Sequence, residues 1–450
     1  MGFAFYLFFL SLTYVRPIEA FAPDLAVYRP MLVLLLITFA AAIAQVASTH
    51  KMAASRVHVR LILWFTAVLF VSVATTGWLG GAVTALVDFA PSVLTFLSTV
   101  MLVTTPKRLR AACAAVVASM VVLSIAGAAA FHSGYMADKL IIWQMAEDEE
   151  AATEAPPDII PAQDTTVDRI WRVRSLGFLS DPNDFGQALV VSLAMLSMFK
   201  RPRSPFRNLI VLGIPGAIIF YAIYLTHSRG ALLGLAALMF FGIQRRLGTL
   251  RTALMIGAMG IGMMALNMTG GRGYTANEES AGGRIDAWSE GLKMLVWRPI
   301  FGVGYGHFTE HHSYTAHNSF VLCFAEQGLV GYFLWLGLIL LVFMQLKRAI
   351  ALARHPSGEP DLAGPLRNAM AGFFTCAFFL SRAYQPGLYI LLSLAICAAY
   401  CERTAVPAER LEEFDAPVRW RGTTAFAVML SILAIYVIVV VKNASIGHSI

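Results

Sequence analysis

Charge is scarce in this chain. Of 450 residues only 14% are charged, while 58% are hydrophobic. A soluble domain carries roughly 25% charged residues. So many apolar residues cannot be hidden in a water-surrounded core, which leaves the lipid bilayer as the fitting solvent. Cysteine is scarce too. Cys113, Cys323, Cys376, Cys397 and Cys401 all sit in apolar runs, which excludes a disulfide framework in the polar loops. Cys397 and Cys401 are four apart and read as small apolar helix residues rather than a metal pair. The N-terminus is apolar at once, with no basic segment and no small-residue cleavage site, so it is not read as a removed signal peptide. Tyr6 stands where a myristoylation motif has Ser or Thr. There is no internal repeat and no basic-aromatic platform. The net charge of +7 is spread in short clusters between apolar runs, a membrane-topology signal and not a nucleic-acid surface.

What is present is a long series of apolar runs. Spans are expected near 2–15, 29–47, 60–78, 81–104, 110–130, 187–199, 207–226, 229–243, 252–268, 318–346, 367–381, 385–401 and 423–441. Some fall short of the roughly 20 residues a spanning helix needs. The fold class is therefore all-α, a polytopic bundle of about 12–13 transmembrane helices. It forms one domain over 1–450, with two long loops containing short helices. Basic clusters lie around 51–60, 107–110, 200–207, 245–251, 347–367 and 403–421. With a cytoplasmic N-terminus all of them fall inside, as positive-inside topology requires. The loops at 131–186 and 269–317 then project outward, together with the tips at Thr226–Gly230 and Ser381-Arg382. The acidic stretch Glu147–Asp158 has few large apolar residues and is expected to be mobile. By this count the final span leaves the C-terminus outside.

Polar chemistry gathers on that outer face. In the second outer loop, Ile285, Trp288, Leu292 and Leu295 fall at helical spacing, with Arg284 one turn before Trp288. Pro299 ends this helix. Gly302, Gly304 and Gly306 give a tight, flexible turn. With no strand before it, the turn is not a dinucleotide motif. His317-Asn318 then stands at the mouth of the next span, and Glu326 lies deeper. The tip His227-Ser228-Arg229-Gly230 reads either as an interfacial anchor, since Arg snorkels at a helix end, or as a guanidinium facing an anion in an outer cavity. Asp181-Pro182-Asn183-Asp184 is a turn followed by an N-cap, or a wall of the same cavity. Asp88, inside a span near Pro91, is either a functional intramembrane acid or a polar helix break. A metal site from His311, His312 and His317 lacks a carboxylate at ligand spacing; none is expected, and no cofactor.

Arg229, Arg284 and His317 thus converge by topology, with Arg174 and Arg382 as further candidates. Arginine grips phosphate oxygens in a planar, bidentate way. A histidine near its ordinary pKa of about 6.5 accepts a proton at neutral pH. At a lipid–water boundary these groups suit one reaction: a lipid-linked diphosphate is held, its departure is stabilised, and an acceptor hydroxyl is deprotonated.

At these residues the chain resembles the O-antigen ligase and O-antigen polymerase superfamily of bacterial envelope glycosyltransferases. The likeness lies in the His227–Gly230 tip, the Gly283-Arg284 to Trp288 helix, the Pro299–Gly306 turn, and His317-Asn318 with Glu326 and Gly328. Asp181-Pro182-Asn183 is also similar. The resemblance covers roughly 170–346 by motif. It implies an inverting, metal-independent transfer of a glycan from undecaprenyl diphosphate, in the bacterial inner membrane with the site facing the periplasm. Its acceptor is a lipid A-core sugar in the ligase, or another glycan repeat in a polymerase. Arg229 and Arg284 would hold the diphosphate and His317 would serve as base. Arg174, Asn183, His227, Trp288, Asn318 and Arg382 are expected to bind substrate. A polysaccharide or lipid transporter is the alternative of another class. It is disfavoured because transporters place ionisable groups near the midplane.

Overall fold

The computed structural model describes residues 2–145, 152–156, 158–166, 169–265, 279–355 and 361–446. Every expected span is a helix over its described residues; 266–268 of the ninth lie outside them. In chain order they are α1 (Gly2–Val15), α2 (Pro30–Thr49), α3 (Arg56–Ala74), α4 (Leu79–Leu102), α5 (Pro106–Ser133), α6 (Pro182–Leu196), α7 (Pro205–Thr226), α8 (Arg229–Leu247) and α9 (Thr249–Ala265). The loop helix α10 (Glu279–Trp297) follows, then α11 (Ser319–Leu352), α12 (Ala363–Ala377), α13 (Pro386–Glu402) and α14 (Trp420–Ile446). Among the described residues, eight of these are long and apolar enough to cross a membrane. The chain is an all-α polytopic membrane bundle. The short helices α6 and α12 pack tightly against each other and α8. α4 runs on through Pro91, with Asp88 exposed on its surface rather than at a break.

The first long loop differs from expectation. Beyond short helical turns it carries a three-stranded antiparallel sheet, ordered β2 (Thr153–Glu154), β1 (Ile141–Met145), β3 (Arg169–Val173). Ile142 pairs with Arg172 and Trp143 with Trp171. The Arg169 guanidinium lies 4.4 Å over the Trp143 ring, and Trp171 Nε1 donates to Asp164 at 2.7 Å. The Thr166 hydroxyl, with burial opposing it, holds the Asp164 carboxyl below its ordinary value. Apolar alternation is too short in these strands to stand out from loop sequence. Part of the acidic stretch expected to be mobile (147–151 and 157) lies outside the described residues, as does 269–278 of the second loop; Thr153-Glu154 is the sheet's edge.

The second loop is built into the membrane bundle. α11 breaks at Gly328, whose φ of 60° and ψ of −168° are non-helical. Such a break in a spanning helix frees backbone groups that cost several kcal/mol each if left unpaired in lipid (roughly). Residues 299–304 lie alongside and satisfy them. Val303 N–H donates to Ala325 at 3.0 Å and Gly304 N–H to Glu326 at 3.1 Å. Leu329 N–H donates to the Pro299 carbonyl at 2.8 Å and Val330 N–H to Ile300 at 3.2 Å. The approach is so close that a Cβ on Gly302 would sit 2.3 Å from the Glu326 carbonyl carbon. Gly302 thus lets two backbones touch, while Gly304 and Gly306, at φ 112° and 78°, make the tight turn. Buried Glu326 then accepts from Phe308 N–H at 3.2 Å, tying the loop to the helix.

Candidate active site

Three helix starts and one interhelical turn meet at one end of the bundle. At α6, Asp181 Oδ1 accepts from Asn183 N–H at 2.6 Å, with Pro182 in the first turn, the expected cap. At α8, Ser228 Oγ accepts from Ala231 N–H at 3.2 Å. At α11, Asn318 Oδ1 accepts from Phe320 and Val321 N–H at 2.9 and 3.1 Å. The α12–α13 turn is pinned to α11, because Ser319 Oγ donates to the Leu380 carbonyl and accepts from Arg382 N–H.

Between these ends lies a cavity of about 270 Å³. Arg229 enters it from α8, Arg284 from α10, His317 from the α10–α11 connection, Asn183 from α6 and Arg382 from the α12–α13 turn. The sheet closes one side with Ile142, Gln144 and Arg172. Among the described lining residues four guanidiniums meet one carboxylate, that of Asp181. Such a field favours an anionic occupant.

Arg172 anchors the arrangement and is not among the site residues expected from the sequence. It is only 5% exposed. Its Nε donates to the Thr226 carbonyl at 2.9 Å, Nη1 to Gln144 Oε1 at 3.0 Å and Nη2 to Asn183 Oδ1 at 2.9 Å. Asn183 Oδ1 also accepts from Ser228 Oγ at 2.8 Å. One guanidinium therefore ties the sheet, α6 and the α7–α8 tip together. Arg382 donates through Nε to the buried Asp184 carboxylate, which fixes it at the cavity edge.

The other expected substrate-binding residues sit beside the cavity rather than in its lining. Arg174, just past β3, donates to the Lys139 carbonyl at 3.1 Å and pairs with Glu154 at 2.7 Å. The His227 ring packs edge-on to Tyr224 at 5.5 Å. Asn318 spends its carbonyl oxygen on the α11 cap. Trp288 is buried and donates through Nε1 to the Ala316 carbonyl at 2.9 Å. That bond holds the residue just before His317. His317 itself has φ 45°, a left-handed conformation in which His is found more often than most residues.

Among the described residues, one group of three or more potential metal ligands draws together, His355, Asp361 and Glu402. It stands at the far end of α11 and α13, away from this cavity. His311 and His312 do not join His317. The His311 ring packs on Trp297 at 5.5 Å, and His312 Nδ1 lies 3.0 Å from the Tyr314 carbonyl.

The family model described as O-antigen ligase matches residues 214–336. That stretch contains Arg229, Arg284, Trp288, His317 and Glu326. Arg172, Asn183 and Arg382 complete the cavity from outside it. No curated protein matches the chain. Residues 214–336 of this helical membrane bundle thus match the O-antigen ligase family model, and the matched segment supplies two guanidiniums and the imidazole of one cavity.

Proposed function

We propose that the chain is an inverting, metal-independent glycosyltransferase. It moves a glycan from undecaprenyl diphosphate to an acceptor hydroxyl at the periplasmic face of the inner membrane, with a lipid A-core sugar as acceptor. The observation that carries this reading is the meeting of Arg229, Arg284 and His317, from separate elements, in one cavity at a helix-bundle end. Arg229 and Arg284 grip the diphosphate oxygens, in the bidentate manner that guanidinium geometry favours. His317 accepts the acceptor's hydroxyl proton as its oxygen attacks the anomeric carbon. The bond from that carbon to the diphosphate breaks on the opposite side. The lipid diphosphate leaves with its charge stabilised by the guanidiniums. One displacement inverts the anomeric centre. A transporter would use charges near the midplane, whereas these cluster at helix ends.

The test is reconstitution with a purified lipid-linked glycan and separate acceptors. Extension of lipid A-core supports the ligase reading; extension of a glycan repeat alone replaces it with polymerase. Arg284→Ala should abolish transfer while the protein remains in the membrane. His317→Ala should lower turnover more than donor binding, and an unchanged rate would remove it as base. Chelators should leave the rate unchanged, and strong inhibition would restore a metal to the mechanism.

A further inference from the structure

We propose that a second, larger crevice at the opposite end of the bundle binds an anionic phospholipid. This cavity, of about 820 Å³, lies between the α2–α3 connection, the distal halves of α11 and α13, and the start of α14. α11 runs from Asn318 beside the first cavity to Gln345 beside this one. At about 1.5 Å per residue, and with the break at Gly328 shortening the straight path, that is at most roughly 40 Å, more than the roughly 30 Å hydrocarbon core. The crevice therefore sits at the other lipid–water boundary.

Its walls are amphipathic in the sense that a lipid demands. Leu341, Ile396, Ala399 and Trp420 supply an apolar depth. Arg348, Arg403, Arg419 and Arg421 stand in its lining, against one lining carboxylate, Asp415. Arg403 is held by Asp415 through bonds of 2.9 and 2.6 Å. Arg348 is spent on the carbonyls of Phe414 and Ala416. Arg421 lies 5.8 Å over the Trp420 ring, and Arg419 makes no ion pair among the described residues. Four guanidiniums against one carboxylate leave an excess of three positive charges. A free phosphate would gain from the guanidiniums alone. A phospholipid gains from both the charge and the apolar walls, and basic pockets between spanning helices recognise such headgroups.

The experiment uses the full chain purified in detergent. Native mass spectrometry reads binding of phosphatidylglycerol, phosphatidylcholine and inorganic phosphate. Phosphatidylglycerol should bind at least tenfold better than phosphatidylcholine, and phosphate should compete poorly. Each basic residue near an anionic lipid is worth about fivefold in affinity, so the Arg419→Gln/Arg421→Gln double variant should lose roughly 30-fold. Ala399→Phe fills the crevice without changing charge and should lower occupancy as well. If that variant melts early, Gly422→Leu serves instead, since nothing lies within 4 Å of a Cβ added there. Equal binding of the two lipids would overturn the proposal, as would full competition by phosphate. Undiminished binding in a correctly folded filled variant would also overturn it, by showing diffuse surface attraction instead of a site.

Discussion

Trp288→Phe tests one hydrogen bond. Phenylalanine keeps an aromatic ring on the side of Phe378, now 5.3 Å away and edge-on; it removes the Nε1–H that reaches the Ala316 carbonyl at 2.9 Å, together with part of the indole's buried volume. Ala316 is fully buried, so its carbonyl is left without that partner, at a cost of roughly 1–3 kcal/mol. The next residue, His317, is held at φ 45°, and a left-handed L-residue carries about 1–2 kcal/mol of strain. The bond and the strain are of comparable size, so losing the bond should loosen residues 316–317 and the imidazole they carry. If the whole cost falls on the transition state, turnover drops by on the order of 5- to 150-fold. Because Trp288 is not in the cavity lining, KM for the lipid-linked donor should barely move. The assay is steady-state transfer by the reconstituted enzyme, in the wild-type and His317→Ala backgrounds. Trp288→Phe should add nothing where the imidazole is already gone, the signature of two residues acting as one unit. Full activity would refute the reasoning. So would a pure KM effect, which would make Trp288 a substrate contact, or an equal loss in both backgrounds.

Arg172 and Arg174, two residues apart, should behave oppositely. Arg174→Gln loses an ion pair to Glu154, whose side chain is 72% exposed, and one hydrogen bond to the Lys139 carbonyl; at about 0–1 kcal/mol for such a pair and roughly 0.5–1.5 for the bond, melting temperature should fall only slightly and transfer should hold. Arg172→Lys leaves buried acceptors among Thr226, Gln144 and Asn183 unpaired, at roughly 1–3 kcal/mol each, and should lower both the melting temperature in detergent and the transfer rate. Gly302→Ala places a Cβ 2.3 Å from the Glu326 carbonyl carbon at a residue with φ 72°, and membrane accumulation should collapse. Gly422→Ala, with open space around its Cβ, is the control and should accumulate normally.

Much of the bundle was legible in sequence because hydropathy is a local signal and lipid leaves few alternatives. Each expected span is a helix over its described residues, and Asp181-Pro182 starts α6 as read. The misreadings share a different cause. Arg172 and Arg174 look interchangeable in the sequence. The strand pairing that seats Arg172 opposite Ile142, facing α6 and the α7–α8 tip, is set by residues about 30 positions away in the chain. Gly302, Gly304 and Gly306 looked like freedom of movement. Gly302 is instead the condition for inserting a backbone beside the Gly328 break, and that break is visible only once α11 is folded. Non-local backbone pairing, in both places, decided what a local motif meant.

The two histidine motifs make the same point about chemistry. His227-Ser228 and His317-Asn318 use one local device: a left-handed histidine, at φ 46° and 45°, followed by an N-cap that starts a helix. Local structure therefore cannot say which imidazole reaches the cavity. The neighbours decide. His227 follows a helix whose Tyr224 takes its ring edge-on at 5.5 Å. His317 follows Ala316, which Trp288 clamps from α10, the helix that also carries Arg284. One helix thus positions a guanidinium directly and an imidazole indirectly. A shift of α10 along its axis would move both groups together, so their spacing is protected by the fold even though 30-odd residues of chain separate them.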